Sequence, residues 1–420
     1  MKIKRTIPPG AAPIDINIFL HGICGLAFPQ KYITNLEKSL KSYFGVKHVF
    51  LVSSGKAALT VILKALHALA PDKQEVLIPA YTCFSVPSAI VRSGLTVSLC
   101  DVDPSTLDFD YQSLAKMTTE KTLCIVPSHL FGIPSAMDKL CSFANERHIF
   151  TIEDAAQAMG GQYKERFLGT IGDVGFFSLG RGKNITCMSG GVIVTNNDQI
   201  ASEIQKDYSK LVSPGFSANL IDLFKAILLS FFIRPTFYWL PAGLPFLGLG
   251  RTIYSTKFPI NRLSGFQAAL MTKWQERLVN SNRIRQDNGA FYASTIGRKG
   301  HSAPSIAYLR YPYLADSESH RDDIYRQLKD LGASLMYPSS INEIDELKDQ
   351  FDASAYPAAA SIPSQLLALP THELLSENDR EAIKTFIYRT FQSSSKTAGI
   401  GCPSKRSRTD LIHAGGETHR

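Results

Sequence analysis

The 420-residue chain has no CxxC pair, and its seven cysteines form no Cys/His cluster at zinc spacing. That argues against a zinc module. The odd count, with several cysteines inside apolar runs, favours free thiols in a reducing compartment over a disulfide framework. Long hydrophobic runs are missing too. The charge-free stretch Ala226–Ile233 is eight residues, bounded by Lys225 and Arg234, whereas a membrane-spanning helix needs about 20. The N-terminus, MKIKRTIPPGAAPID, is basic but lacks the apolar core of a signal peptide, so the expected location is the cytoplasm. No P-loop spacing and no internal repeat occur.

Composition excludes further classes. Hydrophobic residues are 44% and charged residues 20%, ordinary values for a globular chain and unlike a disordered, collagenous or coiled-coil one. Net charge is +8, of which the last 28 residues carry +3. The body is only mildly basic, which points away from nucleic acid and suits anionic small substrates.

From about residue 48 to 195, short apolar runs alternate with helical patterns. Strands are expected at His48–Val52, Val76–Pro79, Val97–Asp101, Leu123–Pro127, Phe150–Glu153, Val174–Ser178 and Gly191–Thr195, with helices such as Lys56–Ala70 and Ala136–Arg147 between them. Continuous apolar strands separated by helices predict a mostly parallel α/β sheet covered on both faces. Ligands of such sheets bind beyond the carboxyl ends of the strands. Asn219–Gly250 is strongly apolar and proline-broken, and reads as a helix and loop packed on the body or a partner subunit, or as a peripheral membrane contact. One long helix is expected over Leu263–Ala293. A smaller α+β region follows, with a strand at Ala307–Leu314 and helices near Arg321–Leu331 and Glu377–Gln392.

Three strand-end motifs carry chemistry. Ser53-Ser54-Gly55-Lys56 lies between a strand and a helix, where small residues let backbone amides approach an anion at the helix N-terminus; an ordinary tight turn is the alternative. Glu153-Asp154 ends an apolar strand. A buried aspartate there needs a partner, either a protonated cofactor ring nitrogen or a neighbouring arginine. Ser178 ends another strand and Lys183 follows five residues later in a glycine-containing loop. A lysine whose pKa is lowered by burial and nearby cations can form a Schiff base with a carbonyl. Taken in order, these are the parts expected of a pyridoxal phosphate (PLP) enzyme.

The ensemble resembles the DegT/DnrJ/StrS family of sugar aminotransferases. The resemblance runs through SSGKAAL (53–59), VLIPAYTCFSVPSAI (76–90), VSLCDVDPSTLDFD (97–110), VPSHLFGIPSAMDKL (126–140), IEDAAQAMGGQYKERFLGTIGDVGFFSL (152–179) and KNITCMSGGVIVTNN (183–197), and more loosely through 255–390. It implies a fold-type I PLP-dependent transferase: a large, mostly parallel seven-stranded domain within 1–255, including an N-terminal arm and the apolar insert 219–250. A small α+β domain would span 256–392, and 393–420 would be a disordered basic tail.

It also implies roles. Lys183 would bind the cofactor covalently and move the proton. Asp154 would hold the pyridinium nitrogen, and Gln157 the ring-hydroxyl side. The Gly55 and Lys56 amides and the Ser178 hydroxyl would take the phosphate. Phe84 or Tyr81 would stack on the ring, because the family's aromatic position falls on Cys83. His129 and Asn261 would line the substrate pocket. Lys56 stands where the family usually has threonine, and Ser189 replaces an acidic residue. The expected reaction passes an amino group from glutamate to a keto sugar on a nucleotide diphosphate, for surface polysaccharide or glycan synthesis, in a homodimer. A PLP dehydratase or other transaminase, or a non-catalytic membrane-peripheral scaffold, are the alternatives; the presence of Lys183 argues against the family's lysine-lacking dehydratases.

Overall fold

Seven strands hydrogen-bond into one sheet: β1 (His48–Val52), β2 (Glu75–Pro79), β3 (Thr96–Cys100), β4 (Thr122–Ile125), β5 (Phe150–Asp154), β6 (Val174–Ser178) and β7 (Gly191–Thr195), in the order β1-β7-β6-β5-β4-β2-β3. Only β7 runs antiparallel to its neighbours β1 and β6; the other pairings are parallel. The computed structural model describes residues 5–244, 250, 252–296 and 305–397. Each of these seven strands is expected from the sequence, within two residues at either end; the strand expected at Ala307–Leu314 is shorter and starts at Arg310.

The strands are apolar on both faces because both faces are covered. Phe50, Val52, Phe176 and Ile193 point into one core with helix α3 (Gly55–Leu69) and α4 (Ser85–Arg92). Their neighbours Val49, Leu51, Phe177 and Val192 point into another, as the two-residue period of a strand requires. That second core is closed by α1 (Ile16–Ala27) and α2 (Pro29–Phe44). Helices α5 (Met137–Glu146) and α6 (Asp198–Lys210) complete the layers.

The apolar segment starts as α7 (Phe216–Phe232), of which Ala226 alone is fully buried; Phe216, Leu220, Phe224, Ile227 and Phe231 are exposed. No helix among the described residues is long and apolar enough to cross a membrane. Residues 245–249 of the segment fall outside the described residues.

The single helix expected over Leu263–Ala293 is instead two. Helix α8 (Gly265–Ala269) carries a capping box from Ser264 and Gln267, and α9 (Trp274–Thr295) starts after Lys273, which adopts φ 56°. The break has a packing reason. Gly265 presses against Pro29 and Gly25, while the Trp274 indole donates to Ser39 Oγ at 2.9 Å and stacks near Phe44. One straight helix could not serve both contacts.

Beyond α9, β8 (Arg310–Leu314) pairs antiparallel with β9 (Leu366–Pro370), packed by α10 (Glu318–Leu328), α11 (Pro357–Gln365) and α12 (Glu377–Thr397). Strand β9 has no counterpart among the strands expected from the sequence. Helix α12 also runs to Thr397, so the tail read as disordered from 393 is helical over its first five residues; 398–420 fall outside the described residues. The six described cysteines are free thiols; Cys100, Cys124 and Cys187 are buried and Cys24 is exposed.

Candidate active site

The carboxyl ends of the parallel strands share one edge of the sheet, and the strand-end motifs meet there. After β1 the chain turns through Ser53-Ser54 into α3. Ser54 Oγ caps the helix by accepting from the Ala57 N–H at 3.1 Å. The Gly55 and Lys56 amides, first in the helix, meet no acceptor among the described residues. A methyl group at Gly55 would come 3.2 Å from Ser178 Cβ, so the end of β6 faces this turn. Gly191 of β7 lies so close beneath that a Cβ there would strike the Ser54 carbonyl. Two free amides at a helix N-terminus beside a serine hydroxyl form an anion cradle.

Asp154, at the end of β5, is 8% exposed. Its Oδ1 accepts from the Ala156 N–H at 3.0 Å, and the Ser128 hydroxyl also bonds to its carboxylate. No arginine or lysine among the described residues pairs with it. Burial pushes its pKa up; the hydrogen bond from Ala156 and the charge of Lys183 oppose the shift. Such a carboxylate suits a cationic partner that arrives with a ligand.

Lys183 stands in the loop between β6 and β7. Burial lowers its pKa and the nearby Arg310 charge pushes the same way, while Cys83 and Asp154 oppose. The loop is held by Thr186 Oγ1 donating to Leu179 O at 3.0 Å, Asn184 Nδ2 donating to Asn282 Oδ1 at 2.9 Å, and Arg285 donating to Lys183 O at 3.4 Å.

Gln157 is tied at both ends of its amide. Its Oε1 accepts from the Phe131 N–H at 3.1 Å, and its Nε2 donates to the Tyr337 hydroxyl at 2.8 Å. Tyr337 is buried and its pKa is held well above 10 by burial, with Cys83, Arg310 and Asp154 inside its electrostatic surroundings. Lys56 turns its ammonium over the Phe258 ring, 4.5 Å from the centroid, and burial lowers its pKa. Cys83, partly buried against the core, lies within electrostatic reach of both Lys56 and Lys183.

Other expected site residues sit differently. Phe84 is 6% exposed and belongs to the core under α3 and α4; Tyr81 is buried edge-on to Tyr337 and donates to Met336 O at 2.7 Å. His129 does not open onto the pocket. Its ring is fully buried, with Nδ1 accepting from the Ser135 N–H at 3.2 Å and Nε2 donating to Glu153 at 3.1 Å. Glu153 in turn accepts from the Gly169 and Gly172 amides, so this pair fixes two loops under the site. Asn261 reaches the Ser53 turn through its backbone: Ser53 N–H donates to Asn261 O at 2.9 Å.

Ser128, Tyr337 and Arg310 escaped the sequence reading. Arg310 did leave a signal, as the sole charge in the apolar run Ala307–Leu314. Ser128 and Tyr337 left none beyond lying in loops.

Residues 28–387 match the model of the DegT/DnrJ/EryC1/StrS aminotransferase family. The GDP-perosamine synthase of Caulobacter vibrioides is 34% identical over 175 residues, 42% of this chain and 47% of that protein. The spore coat polysaccharide biosynthesis protein SpsC of Bacillus subtilis is 31% identical over 214 residues, 46% of this chain and 54% of that one. The chain thus spans about half the length of the curated relatives it matches. Among solved structures, Helicobacter pylori PseC, an aminotransferase of pseudoaminic acid biosynthesis, superposes with a TM-score of 0.75 over 92% of this chain and 100% of PseC, at 17% identity. The sugar aminotransferase CalS13 of Micromonospora echinospora gives 0.72 over 91% and 99%, at 23% identity. These two likenesses establish the fold.

Proposed function

The chain belongs to the DegT/DnrJ/EryC1/StrS aminotransferase family, and from that premise we propose a PLP-dependent aminotransferase that moves an amino group from glutamate to a keto sugar carried on a nucleotide diphosphate, for glycan synthesis. The observation that carries this reading is the convergence of a cationless buried Asp154, a pKa-lowered Lys183 and the Gly55/Ser178 anion cradle at one sheet edge.

These residues fit the cofactor by chemistry. When bound, PLP supplies an aldehyde and an electron-withdrawing ring. Asp154 would hold the ring nitrogen protonated, relieving its own burial. The Gly55 and Lys56 amides with Ser178 Oγ would take the phosphate, and Lys56 Nζ, resting on Phe258, adds a second positive charge nearby. Lys183, its pKa lowered by burial, gives up its proton more readily than an exposed lysine; once displaced by an amino donor, that same amine can accept and return a proton. Gln157, braced by Phe131 and Tyr337, would flank the ring. Cys83 stands where the resemblance expects an aromatic, so ring contact there would be lighter.

The test is the absorption spectrum of the purified protein with PLP, before and after glutamate, beside Lys183→Ala. A yellow band that glutamate bleaches, and that Lys183→Ala lacks, is expected. A protein that stays colourless with added PLP would overturn the reading in favour of a non-catalytic scaffold. A coloured protein that glutamate leaves unchanged would shift it to another PLP chemistry.

A homodimer belongs to the same proposal. Ile16, Leu20 and Ile23 on α1 and Leu220, Phe224, Ile227 and Phe231 on α7 are exposed on touching helices, an apolar patch that a partner would cover. Sedimentation equilibrium should give a dimer. A monomer that floats with anionic liposomes would instead assign 219–250 to a membrane surface.

A further inference from the structure

Three polar side chains stand in a row at the carboxyl ends of neighbouring strands. Thr82 follows β2, Ser128 follows β4 and Asp154 ends β5, and these strands are adjacent in the sheet. Ser128 and Asp154 face each other across a parallel bridge, held by Asp154 N–H donating to Pro127 O at 2.9 Å and His129 N–H donating to Asp154 O at 3.1 Å. Their side chains therefore leave the sheet on the same face. The Ser128 hydroxyl reaches the Asp154 carboxylate, and the Thr82 and Ser128 hydroxyl oxygens lie 3.0 Å apart. All three side chains are buried.

Counting protons gives the row a direction. An ionised carboxylate only accepts, and each hydroxyl has a single proton to donate. Ser128 gives its proton to Asp154 and accepts from Thr82. Reversed by a proton on Asp154, the row would leave the Thr82 proton aimed at no acceptor among the described residues. The hydroxyls thus favour the ionised carboxylate, while burial works against it. The titratable groups facing Asp154 are Lys183, His129 and Tyr337. Glu153, its chain neighbour, is paired with His129.

We propose that Ser128, seated by Thr82, is a positioning residue that holds Asp154 as a carboxylate aimed at the ring nitrogen of the cofactor. The proposal rests on the PLP reading above. Where a ring nitrogen meets Asp154, one proton is shared between the two inside a buried site. Burial favours the neutral pair, with the proton on the carboxyl. A hydroxyl donating to the carboxylate favours the ion pair, with the proton on nitrogen. Ser128 therefore biases which partner holds the proton, and with it the electron-withdrawing power of the ring.

The experiment compares wild type, Ser128→Ala, Ser128→Thr and Thr82→Val, each beside its Asp154→Asn counterpart. In the cofactor-free proteins, the infrared difference within each pair isolates the Asp154 carboxyl band and its titration. In proteins loaded with PLP isotope-labelled at the ring nitrogen, the nitrogen resonance reports whether the ring is protonated. Ser128→Ala should move the Asp154 titration up by about one pH unit or more and shift the ring-nitrogen resonance toward the unprotonated position. Ser128→Thr, which keeps a hydroxyl, should restore both. Thr82→Val, which keeps the shape and removes the donor, should move both the same way by less. The maximal rate of bleaching by glutamate should fall about tenfold in Ser128→Ala, with the half-saturating glutamate concentration unchanged. A Ser128→Ala protein that melts lower but keeps the wild-type titration and ring-nitrogen resonance would overturn the proposal and leave Ser128 a structural serine. So would a Ser128→Thr protein that matches Ser128→Ala in both readouts. A wild type that takes up no PLP would defeat the underlying cofactor reading, while the cofactor-free titration still decides whether Ser128 governs Asp154. Circular dichroism of each variant controls for folding.

Discussion

The Gln157 side-chain amide donates to the Tyr337 hydroxyl at 2.8 Å, joining the loop after β5 to a residue 180 positions downstream. Both side chains are buried, so neither can turn to water if the other is lost. Tyr337 also holds φ 51°, a left-handed conformation that non-glycine residues seldom adopt.

Tyr337→Phe should therefore strand the Gln157 amide and destabilise the protein by about 1–3 kcal/mol. Gln157→Leu should cost a similar amount, and the double variant should cost less than the sum. Urea denaturation of the four proteins measures the coupling; strict additivity would show that the bond contributes nothing.

Asp154→Asn separates chemistry from stability. Burial already raises the Asp154 pKa, so the carboxylate is a burden on the fold, and the variant should melt no lower than wild type. Catalysis should nevertheless fall by a factor on the order of 10²–10³, the scale seen when one preorganised electrostatic partner is removed. Parallel thermal melts and transamination rates test this, and a variant that loses stability and activity together would point to a structural role.

Gly191→Ala should damage the anion cradle from below. The added methyl meets the Ser54 carbonyl, and backbone cannot step aside as a flexible side chain can. The turn before α3 should shift and PLP affinity should drop, measurable by absorbance titration. Gly55→Ala, whose methyl would meet Ser178 Cβ at 3.2 Å, is the milder comparison.

His372 makes stability depend on pH. It is buried, donates to Pro8 O at 2.8 Å, and burial lowers its pKa from 6.5 to about 3. The unfolded chain takes up a proton below pH 6.5 while the folded chain does not. The contribution is thus complete above pH 6.5 and declines as pH falls toward 3, with a slope approaching about 1.4 kcal/mol per pH unit. Urea midpoints at pH 7.5 and 5.0 should converge in wild type and His372→Gln as pH drops, because the variant lacks this titration.

The large sheet was legible in the sequence because its signals are local. Each strand is a short apolar run, each strand-end motif lies within a few residues of it, and a parallel sheet brings carboxyl ends to one edge. That logic places Asp154, Ser178 and Lys183 at strand ends, while the roles expected of them come from the family resemblance. What the tertiary structure decided depends on residues far apart in the chain. The residues 6–11 pass between the apolar segment and the small α+β region: Thr6 N–H donates to Pro235 O, Ile7 N–H donates to Asp330 O, Pro9 O takes Arg310 and Ala11 O takes Arg285. No periodicity announces such contacts, since main-chain carbonyls are the same in every residue. For the same reason His129 read as a pocket residue, although Ser135 and Glu153 hold both its nitrogens. Burial and the pairing of distant polar groups are properties of the packed chain. They determine that Arg285, far from Lys183 in the chain, spends its donors on Leu309, Thr371, Ala11 and the Lys183 carbonyl.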